Sequence, residues 1–134
     1  MATHHEINLT DAPFIADTDL TAKQYYWVTA ASTAGYVKIA TGASNPTPLG
    51  ILQNSPSAGQ EARVRLLGPS KSIGANAACN LAYGTMVVSG SGAQSETVNG
   101  YGTVNGRWLS ANVTSGSVYG EVFIFGTSAS AASA

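Results

Sequence analysis

Charge is what this sequence has least of. Charged residues make up 10% of the chain, where about 25% is usual in soluble domains. Six are basic and seven acidic, for a net charge of −1 at pH 7. The cations (Lys23, Lys38, Arg63, Arg65, Lys71 and Arg107) are scattered along the chain. Nucleic-acid binding needs cations gathered on one face, so no nucleic-acid partner is expected. Long apolar runs are missing as well. Stretches such as Val122 to Phe125 are far too short for a membrane-spanning helix, so no membrane partner is expected. The first ten residues carry no basic flank and no apolar segment, so the chain is expected to be made without a signal peptide. Cysteine occurs once. That excludes an intrachain disulfide and a cysteine-based zinc site. Cys79 has apolar neighbours and no adjacent His or Lys, which reads as a buried structural thiol.

Catalytic signatures are equally scarce. There is no Gly-x-Ser-x-Gly nucleophile turn and no Gly-Lys-Ser/Thr phosphate loop. His4, His5 and Glu6 form the one metal-like cluster, but adjacent side chains on an extended chain point to opposite sides. Asp17-Thr18-Asp19 hints at calcium yet lacks the spaced oxygen ligands of a true loop, and reads better as a strand-entry turn. Glu61 and Glu121 both fall in strand-like segments and would work as an acid/base pair only if a sheet brought them together. No enzyme, no metal and no cofactor is expected.

What is present is strand signal. Tyr25 to Ala30 is aromatic and β-branched, and Tyr36 to Ala40 alternates after a loop ending in Gly35. Leu49 to Asn54 reads as a strand. Glu61 to Leu67 alternates, with Ala62, Val64 and Leu66 inward, until Gly68-Pro69 stops it. Ser72 to Ala82 is ambiguous between a short helix and a loop around a strand. Thr85 to Ser89 is a further strand. Thr97-Val98-Asn99-Gly100 recurs as Thr103-Val104-Asn105-Gly106, and two Asn-Gly turns predict a tight meander of 94–98, 101–104 and 107–111. Val118 to Phe125 is apolar on both faces near its end, so it is either central or covered. Eight to ten short strands without a long helix predict an all-β fold, a small β-sandwich or β-barrel.

The ends differ from the middle. Residues 1–22 read as an extended N-terminal arm, residues 23–126 as a single β domain and residues 127–134 as a flexible tail. Ile7, Leu9, Phe14 and Ile15 are apolar islands in the polar arm, placed to anchor on a partner by strand addition. The same stretch could instead be the first strand of the chain's own sheet. Tyr25, Tyr26, Trp27, Tyr36, Trp108 and Tyr119 suffice to line a sugar-binding face or a protein interface, although some must be core.

Asp19-Leu20-Thr21-Ala22-Lys23-Gln24-Tyr25-Tyr26-Trp27-Val28 resembles the start of small bacteriophage head decoration (capsid cement) proteins. The block from Pro48-Leu49-Gly50-Ile51-Leu52-Gln53-Asn54 through Pro56, Ala58-Gly59-Gln60, Ala62 and Val64-Arg65 is similar too, as are Asn80 to Val88 and Gly120 to Gly126. The Asn-Gly region at 97–111 departs from the family pattern. The resemblance implies a β domain on the outer surface of the virion capsid. It would bind the major capsid protein and itself, as a homotrimer in the favoured case or a homodimer, and it would have no active site. Ile7, Leu9, Phe14 and Ile15 would then be the capsid contacts. Sparse charge suits a symmetric shell, where every charge recurs and like charges would face each other. The alternative is a carbohydrate-binding or adhesion module displayed on a particle, which requires Trp27 and Trp108 to be exposed.

Overall fold

The computed structural model describes residues 10–40, 48–74, 81–89, 93–97, 105–112 and 118–125. Nine strands run through them, with no α-helix among the described residues. Five strands come first: β1 (Thr10–Ala16), β2 (Trp27–Ala30), β3 (Tyr36–Ile39), β4 (Pro48–Leu52) and β5 (Glu61–Ile73). They lie in the order β1-β3-β2-β4-β5, and β1 pairs with β5 as well. That extra pairing closes a barrel, which leaves no free edge in the ring. β1 and β3 are parallel; the other barrel pairs are antiparallel.

β5 then continues into a second sheet with β6 (Met86–Ser89), β7 (Ser95–Thr97), β8 (Gly106–Trp108) and β9 (Tyr119–Ile124), in the order β5-β9-β8-β6-β7. The all-β expectation holds, and barrel and sandwich are combined. The second sheet covers part of the barrel wall.

Two-residue alternation puts both faces of that wall to use. On β2, Val28 points into the barrel and Trp27 points out of it; on β4, Leu52 and Ile51 divide in the same way. Val28, Val37, Leu52, Ala62 and Val64 fill the barrel with Leu20. Trp27 and Ile51 meet Val87, Trp108, Val122 and Ile124 between wall and sheet. Each aliphatic side chain so buried contributes about 1.5–3 kcal/mol. A strand as short as β2, four residues, persists because both of its faces are covered.

Polar contacts fix how the layers align. Trp27 Nε1 donates to Ser95 Oγ at 2.9 Å, and Ser95 Oγ lies 2.5 Å from Ser72 Oγ, all of them buried. Gln53 Nε2 donates to Ser70 Oγ at 2.8 Å. A sliding layer would leave these groups without partners in a dry interior, at about 1–3 kcal/mol each.

Several expectations are corrected. Gly68-Pro69 does not end the fifth strand. Gly68 takes φ +102, which redirects the chain, and Pro69 follows where the strand's ladder is with β9 alone, a setting that tolerates proline. Ser72 and Ile73 of the ambiguous stretch belong to this same strand, and residues 75–80 lie outside the described residues. The tight meander does not form, because β6 lies between β7 and β8. Asn105-Gly106 is a strand entry instead of a turn. Asn105 N donates to Val87 O, and Gly106 pairs with Ile124. The Asn99-Gly100 turn, Cys79 and residues 127–134 lie outside the described residues. The predicted strand at 25–30 begins two residues late, since Tyr25 turns the chain at φ +72.

Gly50 marks the tightest crossing in the barrel. A Cβ there would collide with the Arg65 carbonyl on β5. Gly50→Ala is therefore expected to lower the unfolding free energy by about 2 kcal/mol or more. Gly35→Ala, with nothing within 4 Å but φ +87, should cost only the left-handed strain of about 1–2 kcal/mol. Urea titration of both variants measures the difference.

Candidate functional site

The four apolar positions expected to touch a partner separate into two pairs. Ile7 and Leu9 lie outside the described residues. Phe14 and Ile15 are on β1, a strand of the chain's own barrel. Phe14 is partly buried against the barrel core, opposite Ala62. Ile15 sits between Tyr36 of β3 and Glu61 of β5. Ile15 N donates to Gly35 O on one side, and Ala16 N donates to Gln60 O on the other, both at 2.9 Å. Of the two readings left open for this stretch, residues 10–16 take the home-strand one. Thr10 to Ile15 pair with β5, and Ile15 and Ala16 are engaged on their second side too, so strand addition to a partner is not available at Ile15 and Ala16.

An ion pair holds β1 in place. Asp11 faces Arg65 across the antiparallel ladder. Arg65 Nε donates to Asp11 Oδ1 at 2.6 Å and Nη2 donates to Oδ2 at 2.9 Å, a two-pronged contact. Nη1 donates to Pro69 O at 2.9 Å. One guanidinium thus ties the first strand to the bend where β5 leaves the barrel. The hydrogen bonds from Arg65 hold the Asp11 carboxyl below the usual carboxylate range, against the opposing effect of burial.

The second sheet presents an open outer face. Along β9, Val122 and Ile124 are buried while Tyr119, Phe123 and Phe125 are exposed. The strand expected to be central or covered is central, between β5 and β8, and its outer face is uncovered. Register places Pro69, Phe123, Arg107 and Met86 side by side across four strands. The sequence reading missed this row, because two of its members sit in segments read there as a stop and as part of a meander. Alternation of Phe123 and Phe125 with Val122 and Ile124 was its visible trace. At the sheet's margin Tyr119 packs edge-on against Tyr25 at 6.1 Å, and Lys71 Nζ lies 5.3 Å from the Tyr25 ring centre.

Both tryptophans are buried and hydrogen-bonded, Trp27 to Ser95 and Trp108 Nε1 to Ala111 O at 3.0 Å. Neither can stack on a sugar. Glu61 and Glu121 are far apart. Glu121 pairs with Lys71, which lies ten residues from Glu61 on β5, about 30 Å measured along the strand. Asp19 Oδ1 accepts from Thr21 N at 3.2 Å, as a turn-forming aspartate does. Among the described residues no group of three or more His, Cys, Asp or Glu gathers as metal ligands would.

No protein-family model matches the chain, and no curated protein does. Solved structures do offer a match. The fold is similar to that of a phage head fiber base. The structure in question is the crystal structure of the head fiber gp8.5 N base in bacteriophage phi29. It aligns with a TM-score of 0.60 at 15% identity, covering 85% of this chain and 92% of that one. The likeness is one of fold. It falls on a phage head component, in keeping with the family that the sequence resembles.

Removing the Asp11 charge tests the barrel clamp. Asp11→Asn is expected to lower stability at pH 7 by about 1–3 kcal/mol and to speed amide exchange in β1. A carboxyl whose folded pKa is depressed stabilises above its unfolded pKa of about 3.9 and loses that contribution as pH falls through the lower folded value. The gap between wild type and variant should therefore be steady from pH 7 to about pH 5 and close in stronger acid. A gap that did not change with pH would remove the ion pair as its cause.

Proposed function

We propose that this chain is a virion structural protein that binds the outer surface of a phage capsid and stabilises the mature shell. The observation that carries this reading is the fold shared with the phi29 head fiber base across most of both chains. The resemblance of residues 14–68 to head decoration proteins supports it independently. The low charge supports it as well, since a neutral surface can recur many times on a lattice without like-charge repulsion.

The mechanism is linkage. A protein that binds the expanded shell and not its precursor stabilises the expanded form by mass action. Individual contacts can be weak when several copies engage together. The partner is the major capsid protein, met from outside, and the role is architectural with no catalytic step. Ile7, Leu9 and Ile15 are the capsid contacts, since Phe14 packs against the barrel core and Ile15 is on the opposite face of β1.

Purified chain added to expanded and to unexpanded heads tests this. Saturable binding to expanded heads, near one copy per capsid subunit or per symmetry junction, with a raised temperature of shell disruption, is the expected result. Deleting residues 2–9 should leave the barrel folded by circular dichroism and weaken shell binding about tenfold or more. A handful of copies per particle would make the chain a fibre or tail component. No binding to either form would end the capsid reading.

A further inference from the structure

The geometry points to the outer face of the second sheet as a two-fold contact between two copies of this chain. The face has an apolar middle that is open to solvent: Phe123 is 40% exposed, Phe125 37% and Met86 39%. It carries charges of both signs close to that middle. Arg107 stands beside Phe123 on the next strand, and Glu121 lies two residues back along Phe123's own strand. Arg107 has no acidic partner among the described residues, while Glu121 faces Lys71 across the ladder without closing an ion pair to it. The Arg107 guanidinium reaches only Gly84 O at 3.4 Å and Met86 Sδ at 3.9 Å. An apolar centre that carries exposed charges of both signs, Glu121 against Arg107 and Lys71, is what a surface needs in order to complement itself.

Register decides how the copies would meet. Neighbouring strands are about 5 Å apart, and two residues along a strand span about 7 Å. A two-fold axis in the contact plane through Phe123 can run along β9, across it, or along either diagonal. Along the strand, Glu121 meets the partner's Glu121. Across the strands, Arg107 meets the partner's Arg107. One diagonal sets Lys71, the cross-strand neighbour of Glu121, against its own copy. The remaining diagonal carries Arg107 onto the partner's Glu121 and Pro69 onto the partner's Phe125, and stacks Phe123 on Phe123. Strands of the two sheets then cross near a right angle, a known way for sheets to pack. This placement alone repeats no like charge, and it makes the Arg107–Glu121 pairing twice. The product is a pair of chains, in contrast to the trimer that the family resemblance favours.

Sedimentation equilibrium of the isolated chain tests the contact, so its failure and that of the capsid reading are separable. The expected species is a dimer whose association weakens about tenfold or more with either Arg107→Glu or Glu121→Arg. An equimolar mixture of those two variants should dimerise again, because each brings the charge that the other lacks. The double variant in one chain should do the same. If a reversal impairs folding, Arg107→Ala and Glu121→Ala enter a double-mutant cycle, where zero coupling overturns the proposal. A wild-type chain that stays monomeric or forms trimers overturns it, as does a mixture that associates no better than its components.

Discussion

β5 has to serve two sheets at once. Its first half completes a barrel, and its second half starts a layer that packs on the outside of that barrel. A thirteen-residue strand under ordinary sheet twist cannot do both while lying flat. Gly68, in a conformation that a side chain would oppose, supplies the change of direction. Arg65, three residues earlier, uses the same bend: it grips Asp11 of β1 and the carbonyl of Pro69. Barrel closure and the departure of the second sheet are therefore coupled through one side chain.

Sheet-on-barrel packing explains where the aromatic residues went. Trp27 and Trp108 are the largest buried side chains and lie between the layers. Gly120 makes room for Trp108, since a Cβ there would overlap its ring. Ser72 and Ser95 give the Trp27 indole a partner in a space without water contact. With the tryptophans committed to the interior, the large apolar side chains that stay exposed among the described residues include Phe123, Phe125 and Met86 on the outer face of the second sheet, and Leu67 and Tyr83 elsewhere.

Local pattern made much of this fold legible. The alternation at Glu61 to Leu67, the hairpin around Gly35 and the strand near the C-terminus follow from residue type, because which side chains face inward is a nearest-neighbour property. What was hidden depends on partners distant in sequence. Pro69 looks like a stop until β9 is known to be the neighbour on which its strand relies. Asn105-Gly106 looks like a turn until Gly106 is seen opposite Ile124. Phe14 looks like a free anchor until Ala62 is seen across from it. The outer row of Pro69, Phe123, Arg107 and Met86 assembles from four strands and leaves no contiguous trace in the chain.

Strand β1 has one more consequence. It enters directly after residues 1–9, and pairs with β5 from Thr10 to Ile15 and with β3 at Ile15 and Ala16. Tension drawn through those leading residues pulls β1 along its own length. Its lateral bonds then share the load in parallel, as rivets do in a lap joint, instead of opening one after another as a zipper does. A domain tethered by that end would hold against a sudden tug and yet fold from an ordinary, marginally stable chain.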